Sequence, residues 1–396
     1  MAQTDSYRAL GLFAGIGGLE LGFERAGHEA RVLCEIDPAA QSVLRERFPD
    51  VPITPDVADV HLQDGDQLVL AGFPCTDLSQ AGKTAGIGGR YSGLIGQVFR
   101  MLDEGRDPEW VLLENVPFML VLGKGSGIRY LTSEFAKRGF RWAYRVVDAQ
   151  AFGLPQRRRR VFFLASKTHD PRDVLLVDNA EPRVFERGSK AVGFYWTEGT
   201  RGLGWAIDAV PTLKGGSTVG IPSPPAIWLA DGRIVTPEIR DAERLQGFDE
   251  DWTRPAQDAG FRAGQRWKMV GNAVCVPVAE WLGARLARPG TYSAVDKPLL
   301  GDRWPESAWG KGDEVFVSRV GSWPFRREYA SLQQFLAHEP KLLSERATLG
   351  FMRRLSTGNL RYEPAFLDAL VTHYLAIGGR IETLWEHGIT CEKRTA

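Results

Sequence analysis

Four short apolar segments, separated by stretches with helical periodicity, constrain this chain more than any other feature. They are Arg8-Ala9-Leu10-Gly11-Leu12-Phe13, Ala30-Arg31-Val32-Leu33-Cys34, Gln67-Leu68-Val69-Leu70-Ala71 and Trp110-Val111-Leu112-Leu113. Each reads as an interior strand, and residues 19–26, 38–48 and 94–102 read as helices between them. Buried strands alternating with helices predict an α/β fold, in which ligands gather at the carboxyl ends of the strands. The residues just past each strand are therefore the ones to weigh for chemistry.

The first strand runs into the turn Ala14-Gly15-Ile16-Gly17-Gly18, and the helix after it carries Leu19, Phe23 and Ala26 on one face until Gly27 stops it. Such a turn brings bare amides and a helix amino terminus against a ligand. Glycine turns are common in α/β folds, so this one alone discriminates little. The second strand ends in Glu35-Ile36-Asp37, and an acid roughly 20 positions after a glycine turn is where such folds hold a ribose. Glu35 fits that role; the competing reading is a helix-capping acid, for which Asp37 before Pro38 is better placed. The turn reads GIGG rather than GxGxxG, which suits a small adenosine-bearing cofactor without a pyrophosphate.

The third strand stops at Gly72-Phe73-Pro74-Cys75. Proline has no donor and fixes its own φ, so the ladder ends and Cys75 falls at the strand's carboxyl end. A structural cysteine in a strand-to-loop turn is the alternative. Residues 76–91, rich in Gly, Ser, Thr, Lys and Arg, read as a loop able to close over a substrate, or as plain surface linker. The fourth strand ends in Glu114-Asn115-Val116-Pro117, which sets a carboxylate at the same edge as Cys75. Arg158 and Arg160 alternate on one face of a strand continuing through residues 161–164; the run 157–160 is equally compatible with a solvated basic edge.

The formal net charge is zero, so a nucleic-acid partner would need a local basic surface. The four cysteines, Cys34, Cys75, Cys275 and Cys391, are far apart and form no CxxC pair, which argues against a zinc site or a disulfide framework and fits a reducing compartment; no metal site is expected. No signal-like or membrane-spanning apolar run is present, and a cytoplasmic, soluble protein is expected.

With these residues in view the sequence closely resembles the cytosine-5 DNA methyltransferases. Phe13-Ala14-Gly15-Ile16-Gly17-Gly18 resembles the family's cofactor motif, Gly72-Phe73-Pro74-Cys75 its nucleophile motif and Glu114-Asn115-Val116 its ENV motif. Gln156-Arg157-Arg158-Arg159-Arg160 resembles its QxRxR motif, and Arg240-Asp241-Ala242-Glu243-Arg244-Leu245-Gln246-Gly247-Phe248 and Val270-Gly271-Asn272-Ala273-Val274 its last two. The resemblance covers about residues 8–287, with the motifs in the family's order. It implies a Rossmann-like class I methyltransferase sheet with helices on both faces, a small irregular target-recognition domain and, outside it, a helical C-terminal extension. It also implies S-adenosylmethionine as methyl donor, with S-adenosylhomocysteine as product. Phe13 and the 14–18 turn would hold the adenosine, Glu35 the ribose, and Ile36, Asp56 and Val57 the adenine. Pro74, Leu94, Asn272 and Ala273 match further cofactor-contacting positions.

By the same resemblance Cys75 adds to C6 of cytosine and makes C5 enamine-like, a task suited to a thiolate. Glu114 would protonate N3, which calls for a carboxyl whose pKa burial raises at least transiently. Arg160 would contact O2 and orient Glu114, and Arg158 would support the loop or a phosphate. The target must leave the stack for this chemistry; Ser79 and Gln80 are the candidates for filling the vacated stack, and Arg90, with Thr212 and Lys214 in the recognition region, is a further DNA-binding candidate. Arg183, Arg187, Lys190 and Arg201 there are phosphate contacts by default.

The expected division is 1–165 catalytic and cofactor-binding, 166–235 target-recognition, 236–289 returning to the catalytic domain and 290–396 accessory. The helices near 237–245 and 278–286 should pack onto the first domain, and 332–355 and 364–377 should be helical. The accessory region either extends DNA contact, binds a partner or clamps the catalytic domain. The implied partner is double-stranded DNA, bound by a monomer, with restriction or defence proteins alongside. Methylation of tRNA, a non-catalytic DNA-binding regulator and a nicotinamide dehydrogenase are the competing functions.

Overall fold

The computed structural model describes residues 6–73, 93–188, 190–200, 202–216 and 224–389. Two compact units emerge, one drawn from Met1–Phe152, Arg159–Arg183 and Ala273–Arg327, the other from Gly153–Arg158, Val184–Asn272 and Glu328–Ala396.

The first unit is built on a ten-stranded sheet. Its strands are β1 (Arg8–Leu12), β2 (Glu29–Cys34), β3 (Ile53–Thr54), β4 (Leu68–Gly72), β5 (Trp110–Asn115), β6 (Arg141–Asp148), β7 (Arg159–Ser166), β8 (Lys297–Pro298), β9 (Ser307–Lys311) and β10 (Glu314–Val317). They lie in the order β8-β10-β9-β6-β7-β5-β4-β1-β2-β3. From β3 to β5 the pairing is parallel, which explains why Leu68-Val69-Leu70-Ala71 is buried on both faces and reads as a continuous apolar run. Beyond β5 the pairing turns antiparallel. The chain leaves β1 toward β2 on one side and returns to β4 on the other, so the carboxyl ends of β1 and β4 flank the point where strand order reverses.

Helices α1 (Gly18–Arg25), α2 (Pro38–Arg47) and α3 (Leu94–Leu102) join these strands close to the expected bounds, and α4 (Ser126–Lys137) adds one for which no helix was expected. The short β3 stops at Thr54, because Pro55 has no amide to continue the ladder. Asp56 instead caps the short turn Val57–Asp59 through the Ala58 amide at 2.9 Å. Late in the chain α5 (Val276–Ala287) returns to this unit and lies against α1. Their approach is closest at Gly22, where a Cβ would stand 2.6 Å from the Glu280 amide nitrogen and 2.7 Å from the Val276 carbonyl oxygen.

The helix Ile239–Leu245 does not join the first unit with α5; it belongs to the second. There its buried Asp241 accepts from the Ala337 and His338 amides, and Glu243, Thr253 and Arg266 form a buried polar cluster. The region after residue 290 is not uniformly helical either. Its first part supplies β8, β9 and β10, which lengthen the main sheet from the β6 edge.

The second unit holds a five-stranded antiparallel sheet in the order Ala206–Ile207, Val192–Phe194, Ala226–Trp228, Ile234–Thr236, Lys341–Leu342. The span 332–355 is not one helix. Leu332–Phe335 and Glu345–Thr357 are separate helices, and Lys341–Leu342 between them is the edge strand. Strands of two or three residues cannot bury a core alone, so the helices Glu345–Thr357 and Pro364–Ala376 form the opposing layer. Phe366 is fully buried with its ring 4.9 Å from Phe194, 5.0 Å from Trp205 and 5.5 Å from Trp228. The C-terminal helices are thus part of the second unit's own core. Phe366→Ala should cost about 3–5 kcal/mol, read as an earlier denaturant midpoint for the second unit in the full chain.

Candidate active site

The parallel pairing of β4 and β5 sets Gly72 directly opposite Glu114. A Cβ at Gly72 would stand 3.7 Å from Glu114 Oε2, an ordinary contact, so the carboxylate lies against the end of β4. Glu114 is nearly buried, and Arg160 on the neighbouring β7 holds it through an Nε–Oε1 ion pair of 3.0 Å. Arg160 also donates from Nη1 to its neighbour's carbonyl, Arg159 O, at 2.8 Å, which fixes the guanidinium plane. Asn115, to which the sequence assigned no role, donates from Nδ2 to Phe73 O at 2.9 Å and ties the end of β5 to the residue after β4. A carboxyl, its cation and a cross-strand tie therefore meet at one sheet edge. Cys75, Pro74, Ser79, Gln80 and Arg90 lie outside the described residues, as do Arg201 and Cys391.

Arg158 has a different position. It does not share a strand with Arg160, because Gln156–Arg157 pairs with Val210–Pro211 in a separate ribbon and β7 begins at Arg159. The buried Arg158 donates to Leu213 O at 2.9 Å and to Gly271 O at 3.3 Å, a positioning contact between two loops of the second unit. Gln156 performs a similar task, donating to Leu245 O at 2.8 Å and accepting from the Leu213 amide at 3.1 Å. Thr212 donates to Arg157 O at 2.8 Å. Lys214 pairs with Glu198 and sits 3.7 Å above the Tyr195 ring, so a phosphate would compete with existing partners. Arg187 likewise stacks on Trp228, at 4.3 Å, and Lys190 lies 3.8 Å from Asp208, while Arg183 donates to Arg327 O.

At the carboxyl ends of β1 and β2 the chain forms a cradle. Phe13 has φ 56°, a left-handed conformation rare for an aromatic residue, and Gly15 and Gly17 follow at 58° and 81°. Among the described residues no atom beyond its chain neighbours lies within 4 Å of where a Gly15 Cβ would be. Gly17 is the left-handed cap from which α1 starts. Glu35 accepts the Gly15 amide at 2.7 Å on one oxygen and the Asp37 amide at 2.8 Å on the other. It fastens the turn to β2, and each oxygen keeps a lone pair for a further donor. Burial raises its pKa, against the pull of those amides. Asp37 is the helix cap, accepting from the Ala39 amide at 2.9 Å. Ile36 is 77% exposed, an apolar side chain open to a planar ring, and the half-buried Phe13 and Leu94 pack on the same core cluster. Val57 is buried behind the Asp56 cap. These residues fit an adenosine with a short amino-acid tail: an open backbone cradle, a bound carboxylate and an exposed apolar platform. Ala273 is buried in the first unit; Asn272 belongs to the second, with its side-chain amide against Gly215.

Sequence reasoning missed Glu20, which is fully buried in the first turn of α1. An acid there ordinarily complements the helix dipole from the surface. The available signal was its place beside Leu19 and Phe23, on the apolar face. The other described cysteines, Cys34 and Cys275, are buried, and burial pushes the Cys34 thiol up to about 12.

Among the described residues no helix is long and apolar enough to cross a membrane. The sequence pattern of C-5 cytosine-specific DNA methylase matches residues 7–191 and 231–288, which enclose both sheet-edge clusters. Type II methyltransferase M2.BsuMI of Bacillus subtilis (strain 168) is 46% identical over 377 residues, covering 92% of this chain and 97% of that protein. Type II methyltransferase M.DsaV of Dactylococcopsis salina is 28% identical, over 72% of this chain and 87% of its own. The S. pombe Dnmt2 methyltransferase crystal structure shares the fold, with a TM-score of 0.51 at 16% identity over 71% of this chain and 98% of that one. The chain belongs to the C-5 cytosine-specific DNA methylase family and is a DNA cytosine-5 methyltransferase.

Proposed function

We propose that the protein methylates C5 of a cytosine flipped out of a specific duplex site, using S-adenosylmethionine, as the modification partner of a type II restriction system. The observation that carries this reading is the Glu114–Arg160 pair at 3.0 Å, with Glu114 in register with Gly72, which stands three residues before Cys75 in the sequence. The two type II methyltransferases aligned over most of the chain support the restriction setting.

The Cys75 thiolate adds to C6, and the electron pair displaced from the C5–C6 bond moves toward N3, where Glu114 delivers a proton. Arg160 keeps that carboxyl in place and offers N–H donors to the base's O2. C5 then carries enamine electrons and takes the methyl group. Return of the N3 proton to Glu114, loss of the C5 proton to solvent and expulsion of the Cys75 sulfur restore the aromatic ring, the acid and the thiolate. Bound at Phe13, the 14–18 turn and Glu35, S-adenosylmethionine would supply an electrophilic methyl group and leave as S-adenosylhomocysteine.

Bisulfite sequencing of DNA from cells expressing the protein should show complete conversion of one short motif to 5-methylcytosine. Duplex DNA and bulk tRNA incubated with labelled cofactor form the control; label confined to tRNA overturns the DNA reading.

A further inference from the structure

The reaction leaves one group unused. Glu20 is 2% exposed, and among the described residues neither of its carboxyl oxygens has a hydrogen-bond partner. It projects from the first turn of α1, two residues after the glycine turn, onto Gly11 of β1. The strand makes way for it: a Cβ on Gly11 would stand 2.5 Å from Glu20 Oε1 and 3.1 Å from Cγ. Leaving a buried carboxyl unpartnered is costly, and such groups call for a ligand, an ion or a catalytic reason. Among the described residues the charge that bears on Glu20 is another acid, Glu35 at the end of β2. Burial first, and that charge after it, push the Glu20 carboxyl up to about 8, partly opposed by its own amide. Two acids thus converge beneath the turn, and the complement they lack is a cation.

We propose that Glu20 is the counter-charge for the amino-acid end of the cofactor, its carboxylate receiving the α-ammonium of S-adenosylmethionine. This rests on the cofactor reading above. The ammonium is favoured over the sulfonium on geometry. Amides of the turn and of the α1 terminus attract the ligand's α-carboxylate, and the ammonium is bonded to the same carbon. Glu20 lies in the first turn of that same helix. The sulfonium, two methylenes further on, must reach the edge of β4 and β5. Glu20 therefore enters the complex ionised, having been protonated in the free protein at neutral pH, and binding releases a proton.

Isothermal titration of the full chain with S-adenosylhomocysteine, which carries the same ammonium, tests this in buffers of different ionisation enthalpy. At pH 7 close to one proton should be released per ligand bound, fading above about pH 8. Glu20→Gln should abolish the release and weaken binding by about 10- to 100-fold. Folding is controlled by sign: a carboxyl with a raised folded-state pKa stabilises the free protein below its unfolded value and loses that contribution as pH rises through about 8. Glu20→Gln should therefore melt at or above the wild-type temperature at pH 8.5. Because Gly11 faces the same volume, Gly11→Asp in a Glu20→Ala background should restore both affinity and proton release. Tight binding without proton release, or release persisting in Glu20→Gln, overturns the role of Glu20. Failure of the wild type to bind S-adenosylhomocysteine overturns the cofactor reading itself.

Discussion

Cys75→Ala should lower methyl transfer to duplex DNA by at least about four orders of magnitude, since a covalent route loses its only nucleophile. The loss should fall on turnover, because the cradle at Phe13, Gly15 and Glu35 is built by β1 and β2 and does not depend on residue 75. Binding of S-adenosylhomocysteine should stay within about threefold of wild type, a change under 1 kcal/mol. The adduct supplies the sharper measurement. Duplex DNA with 5-fluorocytosine at the target traps the enzyme, because fluorine cannot leave C5 as a proton does. Wild type should give one denaturation-resistant protein–DNA band, with the modified peptide containing Cys75. Cys34→Ala and Cys275→Ala should give the same band, as both thiols are buried and that of Cys34 is held up to about 12. An adduct that persists in Cys75→Ala removes the nucleophile from its assigned position.

How much of this was legible in the sequence depends on where each residue's partners lie. Leu68–Gly72 and Trp110–Asn115 announce themselves because strands buried on both faces need no partner to be recognised. The helix Leu94–Leu102 is equally plain from its apolar stripe. Strand pairing across long separations is different. Ser307–Lys311 pairs with Arg141–Asp148, more than 150 positions earlier, and its mixture of Ser, Ala, Trp, Gly and Lys gives no clean alternation. The C-terminal helices were visible as helices, but their destination was not, because Phe366 becomes a core residue only once Phe194, Trp205 and Trp228 surround it.

The arginines at the site separate for the same reason. Residues 157–160 form one basic run, yet Arg160 turns to Glu114 while Arg158 is spent on Leu213 and Gly271 carbonyls. Nothing local distinguishes them; a break in pairing between Arg157 and Arg159 does. Motif order points to the sheet edge, whereas the separate partners of the residues inside each motif come from the fold. Glu20 is the extreme case, because its acid character is ordinary and only burial makes it informative.

The second large effect tests whether Glu114 and Arg160 act as one unit. Glu114→Gln keeps an oxygen to accept from Arg160 Nε, so the 3.0 Å contact survives in form, but an amide has no proton to transfer to N3. Turnover under single-turnover conditions at saturating cofactor should fall by about 10²- to 10⁴-fold, with DNA binding nearly unchanged. Arg160→Ala removes both the restraint on the carboxyl and the donors facing O2, and should also lower turnover by at least about 10²-fold, the scale for one lost oxyanion-type donor. Part of that loss passes through Glu114, whose nearly buried carboxyl loses the cation that orients it. The double variant should therefore lose less than the product of the two single losses, with a coupling of about 1–3 kcal/mol. Equal and independent losses would mean that Arg160 serves the base alone. In that case the ion pair would be a structural contact of the free enzyme, broken whenever the cytosine enters.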